Sequence, residues 1–579
     1  MFNNKECCTI NSISRASLIT AFLKFRGTGT TQQFFDSSTV RRTLRVEDVP
    51  ARECNSRTTT EIFFCVFRDA LKLIEKIVMT REKFFFLFCS ILILSSCSSR
   101  HGVQYDPNNP LEKLQYDIAQ KFEDSNFVNA HWGVQIKSLK TGETIYARNE
   151  KKMFMPASNM KLFTTSSAMI ALGPNYRYTT RLVTNGEVKN GVLNGDLIMI
   201  GSGDPTISGR FDSGKVTITF EQWADSLKAL GINQIKGNII GDDNCFDDEY
   251  YGAGWSADYE TDYYAAQISG LSFNDNCVDI RVAPSATIAD VCSLTWSPNT
   301  RYVNIINQTT TVAETDSVND IYFERKRGTN NIFVHGKLSI GKKPFIESVT
   351  VENPTMFTAM VLKEILELKG ISVLGAVVDA DDFADTIRYE KSKQLASFTS
   401  LPYSEIIKTI NKPSQNFYTE QVFRTMGKER YGVGSMDNGR AAAYPILSSW
   451  GVDTVRLRYA DGSGLSRQDL ITPSDIVSIL SGMSKENSFL PFYESLPIAG
   501  IDGTIKGRMK GTKAESNVHA KTGSIGYVRS LSGYVTSSDG EQFVFSMIAN
   551  HYTVPTRLAE KIQDAVCVML AEFKRENSK

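Results

Sequence analysis

"MPASNMKLFTT", Met155 to Thr165, sets Ser158 and Lys161 three residues apart just after Pro156, at the head of a run that turns apolar. Side chains at i and i+3 share one face of an α-helix, so on a helix this hydroxyl and this amine touch. Pro156 suits a helix start, and Met160, Leu162, Phe163 and the stretch from Ala168 to Ala171 imply that much of the helix is buried. Alone, a Ser-x-x-Lys leaves two readings open. In one, the lysine carries its ammonium to the surface and Ser158 merely begins a helix. In the other, burial lowers the lysine pKa until the neutral amine can take the serine proton and create a nucleophile.

Composition narrows the field around that stretch. The 579 residues, 41% of them hydrophobic, suffice for two or three domains with cores of their own. Lys plus Arg equals Asp plus Glu at 64 each, so charge makes no case for nucleic acid as a partner. No C-x-x-C or H-E-x-x-H spacing occurs, and no metal or other cofactor is indicated. The histidines, His101, His131, His335, His519 and His551, lie outside any G-x-S-x-G context, which argues against a Ser-His-Asp hydrolase.

From Met79 the chain reads "MTREKFFFLFCSILILSSCSSR", a basic start, an apolar stretch from Phe84 to Leu94, and small residues before Cys97. This has the form of a secretion signal whose apolar run is shorter than the ~20 residues that span a bilayer. The end of the run resembles a bacterial lipobox, which implies lipidation of Cys97, an exported lipoprotein, membrane anchoring through that lipid and, in a cell with two membranes, a periplasmic site. Residues 1–78 are then read as an upstream extension that is not part of the native protein, with a genuine cytoplasmic extension as the other reading, 79–96 as the signal and 97–110 as a linker. Of the cysteines that remain, Cys277 and Cys292 are close enough in sequence to pair across a hairpin, with ordinary buried thiols as the other reading.

Past the linker, a helical pattern runs from about Leu111 to Phe122, and "WGVQIKSL" and "TIYARN" flank the turn "KTGE" as a hairpin. From about residue 178 to 389 short β-type runs such as "GDLIMIG", "IKGNIIGD" and "NIFVHGKLSI" predominate, and we read them as one or two inserted β-rich modules. Helices and strands then resume, with "PSDIVSILSGM" and "RLAEKIQDAVCVMLAEF" as amphipathic segments. The expected architecture is α+β: a catalytic core from 111–177 and 390–579, interrupted by 178–389.

Two further fragments complete the opening motif. "NKPSQNFYTEQVF" carries Ser414 and Asn416, and "VHAKTGSIGYVRS" carries Lys521, Thr522 and Gly523 at the start of a strand-like run. Each is weak alone, but the ordered triple of Ser-x-x-Lys, Ser-x-Asn and Lys-Thr-Gly is the constellation of penicillin-interacting serine enzymes. With "GSGDPT" at 201–206, "DGSGLS" at 461–466 and "LPIAGIDGTIKGRM" at 496–509, the chain closely resembles the class C low-molecular-mass penicillin-binding proteins. These are D-alanyl-D-alanine carboxypeptidase/endopeptidases of serine peptidase family S13, with a penicillin-binding transpeptidase-like (β-lactamase-like) core. One departure is Ser-Gln-Asn in place of Ser-Asp-Asn.

The resemblance implies acyl transfer on peptidoglycan stem peptides and covalent inhibition by β-lactams. Ser158 is then the nucleophile, Lys161 its base, Ser414 a proton relay, and Asn416 a partner of Lys161 and of the substrate amide. Lys521 and Thr522 hold the terminal carboxylate, Gly523 allows close backbone approach, and the N–H groups of Ser158 and Ser524 form the oxyanion hole. Roughly 255 residues part Ser158 from Ser414, more than a compact β-lactamase accommodates, and no deacylating carboxylate is identified by motif. A β-lactamase or esterase-like hydrolase and an inactive wall-binding relative remain as alternatives. His519 is expected on the Lys521 face of its strand, Asp204 as a turn residue, and Ser463 either in the cleft or in a Gly-rich turn. The tyrosines from Tyr250 to Tyr264 are expected to pack between insert and core rather than to meet substrate.

Overall fold

A computed structural model describes residues 106, 108–384 and 386–575. The upstream segment, the secretion signal and Cys97 lie outside the described residues. Among the described residues no helix is long and apolar enough to cross a membrane.

The catalytic core forms around one antiparallel sheet, in the order His519–Ile525, Val528–Thr536, Gln542–Asn550, His131–Ser138 and Thr144–Arg148. Strands from the two ends of the core's sequence thus meet in the middle of the sheet. Strand Gln542–Asn550 is buried on both faces, and its alternation sorts two cores. Phe543, Phe545, Met547 and Ala549 join the core shared with the first helix, Pro110–Lys121, and the last, Thr556–Glu572. Val544 and Ile548 join the opposite core, with Met160, Leu162 and Phe163 of the helix Met160–Ala171, and with residues of Asn416–Tyr431 and Pro473–Met483. Each fully buried Phe, Leu or Ile contributes ~1.5–3 kcal/mol to this arrangement.

Local sequence explains where these helices start. Asn109 caps the first by accepting from the N–H groups of Leu111 and Glu112, with Pro110 in its first turn. Thr472 and Asp475 cap each other reciprocally before "PSDIVSILSGM". The architecture is α+β, as the sequence implies.

The insert begins and ends on neighbouring strands. Thr179–Thr184 pairs antiparallel with Lys393–Thr399 in a five-stranded sheet completed by Leu197–Ile200, Ile239–Asp242 and Val377–Asp379. Lys393–Thr399 therefore belongs to the inserted sheet, and the return to the core falls after Thr399 rather than at residue 390. A four-stranded and two three-stranded sheets accompany it. One continuous apolar cluster runs through the insert, from Leu182 and Phe220 to Ile280, Ile332 and Leu366. Helices Ile218–Ala229 and Pro354–Leu368 are part of that cluster, so the insert is less purely β than its short runs suggest.

Cys277 and Cys292 are free, buried thiols, the second of the two readings that the sequence left open. Strand Cys277–Ala283 pairs with Ser293–Ser297 so that Ala283 faces Ser293. The two cysteines thus sit at opposite ends of the ladder, about 20 Å apart at the rise of an extended chain.

Candidate active site

Ser158 sits in a 3-10 turn, Ala157–Asn159, that feeds directly into the helix Met160–Ala171. Ala157 holds a left-handed φ of 48°, and Ser414, across the cleft, one of 68°. Backbone strain of this kind in non-glycine residues is stored where a site demands it. The turn is tied to the sheet by side chains: Ser530 Oγ donates to Pro156 O at 2.7 Å, Asn159 Nδ2 to Lys521 O at 2.8 Å, and Ser532 Oγ to Asn159 Oδ1 at 2.6 Å. Gly523 makes this approach possible. A Cβ there would lie 2.2 Å from Ser530 Oγ, 2.6 Å from Pro156 O and 3.0 Å from Ser158 N.

Lys161 is wholly buried one turn beyond Ser158. Its Nζ donates to Ser158 Oγ at 3.1 Å, to Asn416 Oδ1 at 2.6 Å and to the Ser463 carbonyl at 2.7 Å. Burial pulls this ammonium down to about 7, against the opposing attraction of Asp461, Glu420 and Asp469. The serine and lysine are therefore in contact, and the amine is available in neutral form near neutral pH.

Lys521 is equally buried but differently placed. Its Nζ donates to Ser414 Oγ and to Thr522 O, both at 2.8 Å. Burial, with Lys161 and Arg529 as neighbouring cations, holds it well below the usual lysine range. It does not line the cleft. Thr522, Ser524, Thr504 and Arg529 do, together with Ser158, Ser414 and Asn416, around a volume of about 570 Å³. Lys521 thus stands directly behind Thr522 and Ser414, two residues that do line the cleft.

The structure brings Ser158, Lys161, Ser414, Asn416, Lys521, Thr522, Gly523 and Ser524 into one place, and leaves Cys97 outside the described residues. One other reading changes, that of the tyrosines, and three are made definite. Tyr259, Tyr263 and Tyr264 line the cleft instead of serving only as packing between insert and core, and the Tyr264 carbonyl accepts from Asn416 Nδ2 at 2.8 Å. His519 stacks on Tyr493, ring centroids 3.9 Å apart, and is not among the residues that line the cleft. Ser463 serves through its carbonyl, while Asp204 accepts from the Thr206 N–H and hydroxyl as a turn residue. Sequence reasoning missed Arg529, Thr504, Asn159 and Asp461. "DGSGLS" was a visible signal for Asp461, whereas Arg529 and Asn159 carry no motif of their own.

A serine held against a buried lysine, with a Ser-x-Asn loop and a Lys-Thr-Gly strand closing the cleft, is the constellation of acyl-transferring serine enzymes that use lysine in place of histidine. Within that class, the chain belongs to the D-Ala-D-Ala carboxypeptidase 3 (S13) family, whose profile matches residues 114–573. It is 33% identical over 480 residues to a D-alanyl-D-alanine carboxypeptidase of Actinomadura sp. (strain R39), an alignment covering 80% of this chain and 85% of that protein. It is 28% identical over 441 residues to the D-alanyl-D-alanine carboxypeptidase DacB of Haemophilus influenzae, covering 76% and 88%. The crystal structure of penicillin binding protein 4 (dacB) from Haemophilus influenzae superposes with a TM-score of 0.69 at 25% identity, covering 79% of this chain and 99% of that one. A second structure of that protein, complexed with a novel β-lactam, superposes with a TM-score of 0.63 at 25% identity, covering 78% and 97%.

Proposed function

We propose that this protein is a serine D-alanyl-D-alanine carboxypeptidase that cleaves peptidoglycan stem peptides through a Ser158 acyl-enzyme, and that it is an exported lipoprotein anchored to a membrane through Cys97 and facing the periplasm. The observation that carries the reading is the 3.1 Å contact between Ser158 Oγ and the Nζ of a lysine sealed from water. Neutral Lys161 takes the hydroxyl proton as Oγ attacks the carbonyl carbon of the penultimate D-alanine. The N–H groups of Ser158 and Ser524 receive the negative charge that develops on oxygen, worth ~10²–10³ in rate per donor. The C–N bond then breaks, and the proton held by Lys161 returns to the departing D-alanine nitrogen, beside which Ser414 places its hydroxyl. Water releases the stem peptide and restores Ser158. When the departing amine belongs to a cross-linked neighbouring strand, the same steps make an endopeptidase.

Terminal carboxylate binding falls to Lys521 and Thr522, whose main chain Lys521 Nζ already touches, with Ser524 and Arg529 beside them in the cleft wall. A β-lactam enters the same acylation. No Asp or Glu is among the described residues that line the cleft, which favours slow deacylation of a penicilloyl ester over β-lactamase action. Intact mass spectrometry after brief exposure to benzylpenicillin tests the assignment, together with assay of D-alanine release from a stem pentapeptide. One stable adduct that maps to Ser158 and vanishes in Ser158→Ala is the expected result. An unmodified protein with intact drug points to an inactive relative, and an unmodified protein with hydrolysed drug to a β-lactamase.

A further inference from the structure

Both protein acceptors that fix Lys161, apart from Ser158 itself, lead back to one stretch of the insert. Asn416 Oδ1 accepts from Lys161 while its Nδ2 donates to the Tyr264 carbonyl. The Ser463 carbonyl accepts from Lys161 at 2.7 Å, and the turn that presents it is wrapped around the Asp461 carboxylate. Asp461 Oδ1 accepts from the N–H groups of Ser463 at 3.2 Å and Gly464 at 2.6 Å; Oδ2 accepts from the N–H of Ser466 and from the indole Nε1 of Trp255, at 2.6 and 2.7 Å. Trp255 and Tyr264 belong to the same tyrosine-rich segment that lines the cleft.

The turn has no freedom to move away. Gly464 holds a φ of 83°, and a Cβ there would lie 1.9 Å from the Ala157 carbonyl, immediately before the nucleophile. Asp461 is fully buried, and its carboxylate accepts four N–H donors. A buried charge satisfied in this way sets both geometry and field.

Resting on the assignment of Lys161 as the base, we infer that Asp461 and Trp255 are positioning residues for it: Asp461 fixes the Ser463 carbonyl on Nζ and is the acid that acts on it most strongly, and the Trp255 indole N–H, contributed by the insert, moderates that influence. The inserted segment is then part of the machinery that sets the basicity of the catalytic amine. The other titratable groups around Lys161 are Asp469 from the same loop, Glu420 and Arg424 from the helix Asn416–Tyr431, and Lys521 from the neighbouring strand, and burial pushes Asp469, Glu420 and Lys521 toward their neutral forms. Asp469 Oδ1 accepts from the N–H groups of Ala460 and Asp461, and Glu420 Oε2 from that of Gly462, so these acids brace the same turn.

The two residues predict pH shifts of opposite sign. Removal of the Asp461 charge disfavours the ammonium form of Lys161, so Asp461→Asn moves the acid limb of acylation to lower pH, while loss of the positioned carbonyl lowers the plateau rate by on the order of tenfold. Loss of the indole dipole leaves the Asp461 charge less offset at Lys161, so Trp255→Phe moves the limb to higher pH with a smaller loss of rate. Acylation rate constants with benzylpenicillin, measured against pH on the full chain, read both effects, with melting temperature as the check on folding. A limb unmoved in folded Trp255→Phe, or moved upward in Asp461→Asn, overturns the inference; if Asp461→Asn does not fold, Trp255→Phe decides. No acylation in the parent protein would instead overturn the assignment of Ser158 and Lys161, and this inference with it.

Discussion

Two lysines stand on either side of Ser158, both sealed from solvent, and their surroundings are opposite in character. Lys161 faces the acids Asp461, Glu420 and Asp469 and bonds Ser158 and Asn416. Lys521 faces the cations Lys161 and Arg529 and bonds only Ser414 and the Thr522 carbonyl. Burial depresses both, but the acids hold Lys161 at about 7, where it can pick up and return a proton during turnover. Among the described residues the charges that act on Lys521 are cations, which suits it to receive the carboxylate of a substrate at Thr522 and Ser524. One lysine is thereby suited to proton transfer, and the other to recognising the end of the peptide.

Exchange of the lysines one at a time gives the largest expected effects. Lys161→Gln removes the base and lowers acylation by benzylpenicillin by ~10³-fold, read by single-turnover mass spectrometry. Lys521→Gln costs less, ~10²-fold, and the loss falls mainly on KM for peptides with a free terminal carboxylate. A peptide amidated at its C-terminus should distinguish the two variants: its hydrolysis responds to Lys161→Gln but little to Lys521→Gln. Equal sensitivity to both would erase the division of labour.

The pH dependence sharpens the same contrast. Lys161 acts as its neutral form and its folded-state pKa is lowered, so acylation falls as pH drops through about 7 and Lys161 takes on a proton. Well below that point the rate declines about tenfold per unit. Asn159→Ala is the smallest perturbation: it deletes the amide that ties the nucleophile turn to the Lys521 carbonyl and leaves Ser532 Oγ without that acceptor. A stability loss of about 1–3 kcal/mol is expected, read as a lower melting temperature.

Local pattern made the core legible. The hairpin of His131–Ser138 and Thr144–Arg148, the capped helix Pro473–Met483 and the last helix each carry their own period and turn residues, and the three motifs occupy the cleft in the structure. The rest depends on contacts between distant residues. Trp255 and Asp461 meet across 206 positions, and no spacing rule links an indole in one loop to a carboxylate in another. Arg529 reaches the cleft because the strand after Lys-Thr-Gly pairs Ser524 with Arg529. The insert's helix Ile218–Ala229 did carry a signal, since Phe220, Trp223, Ala224 and Leu227 follow the i, i+3, i+4, i+7 rule, but the β-type runs around it dominated the reading.

Direct titration of Lys161 is the closest test of its role as the base. Lysine labelled with carbon-13 at Cε, with the Lys161 resonance assigned by its loss in Lys161→Arg, reports the protonation of each amine by NMR. A Lys161 resonance that titrates near 7 in the folded protein is the expected result. A Lys161 that stays protonated to the ordinary lysine range, near 10.4 as in model peptides, would contradict it.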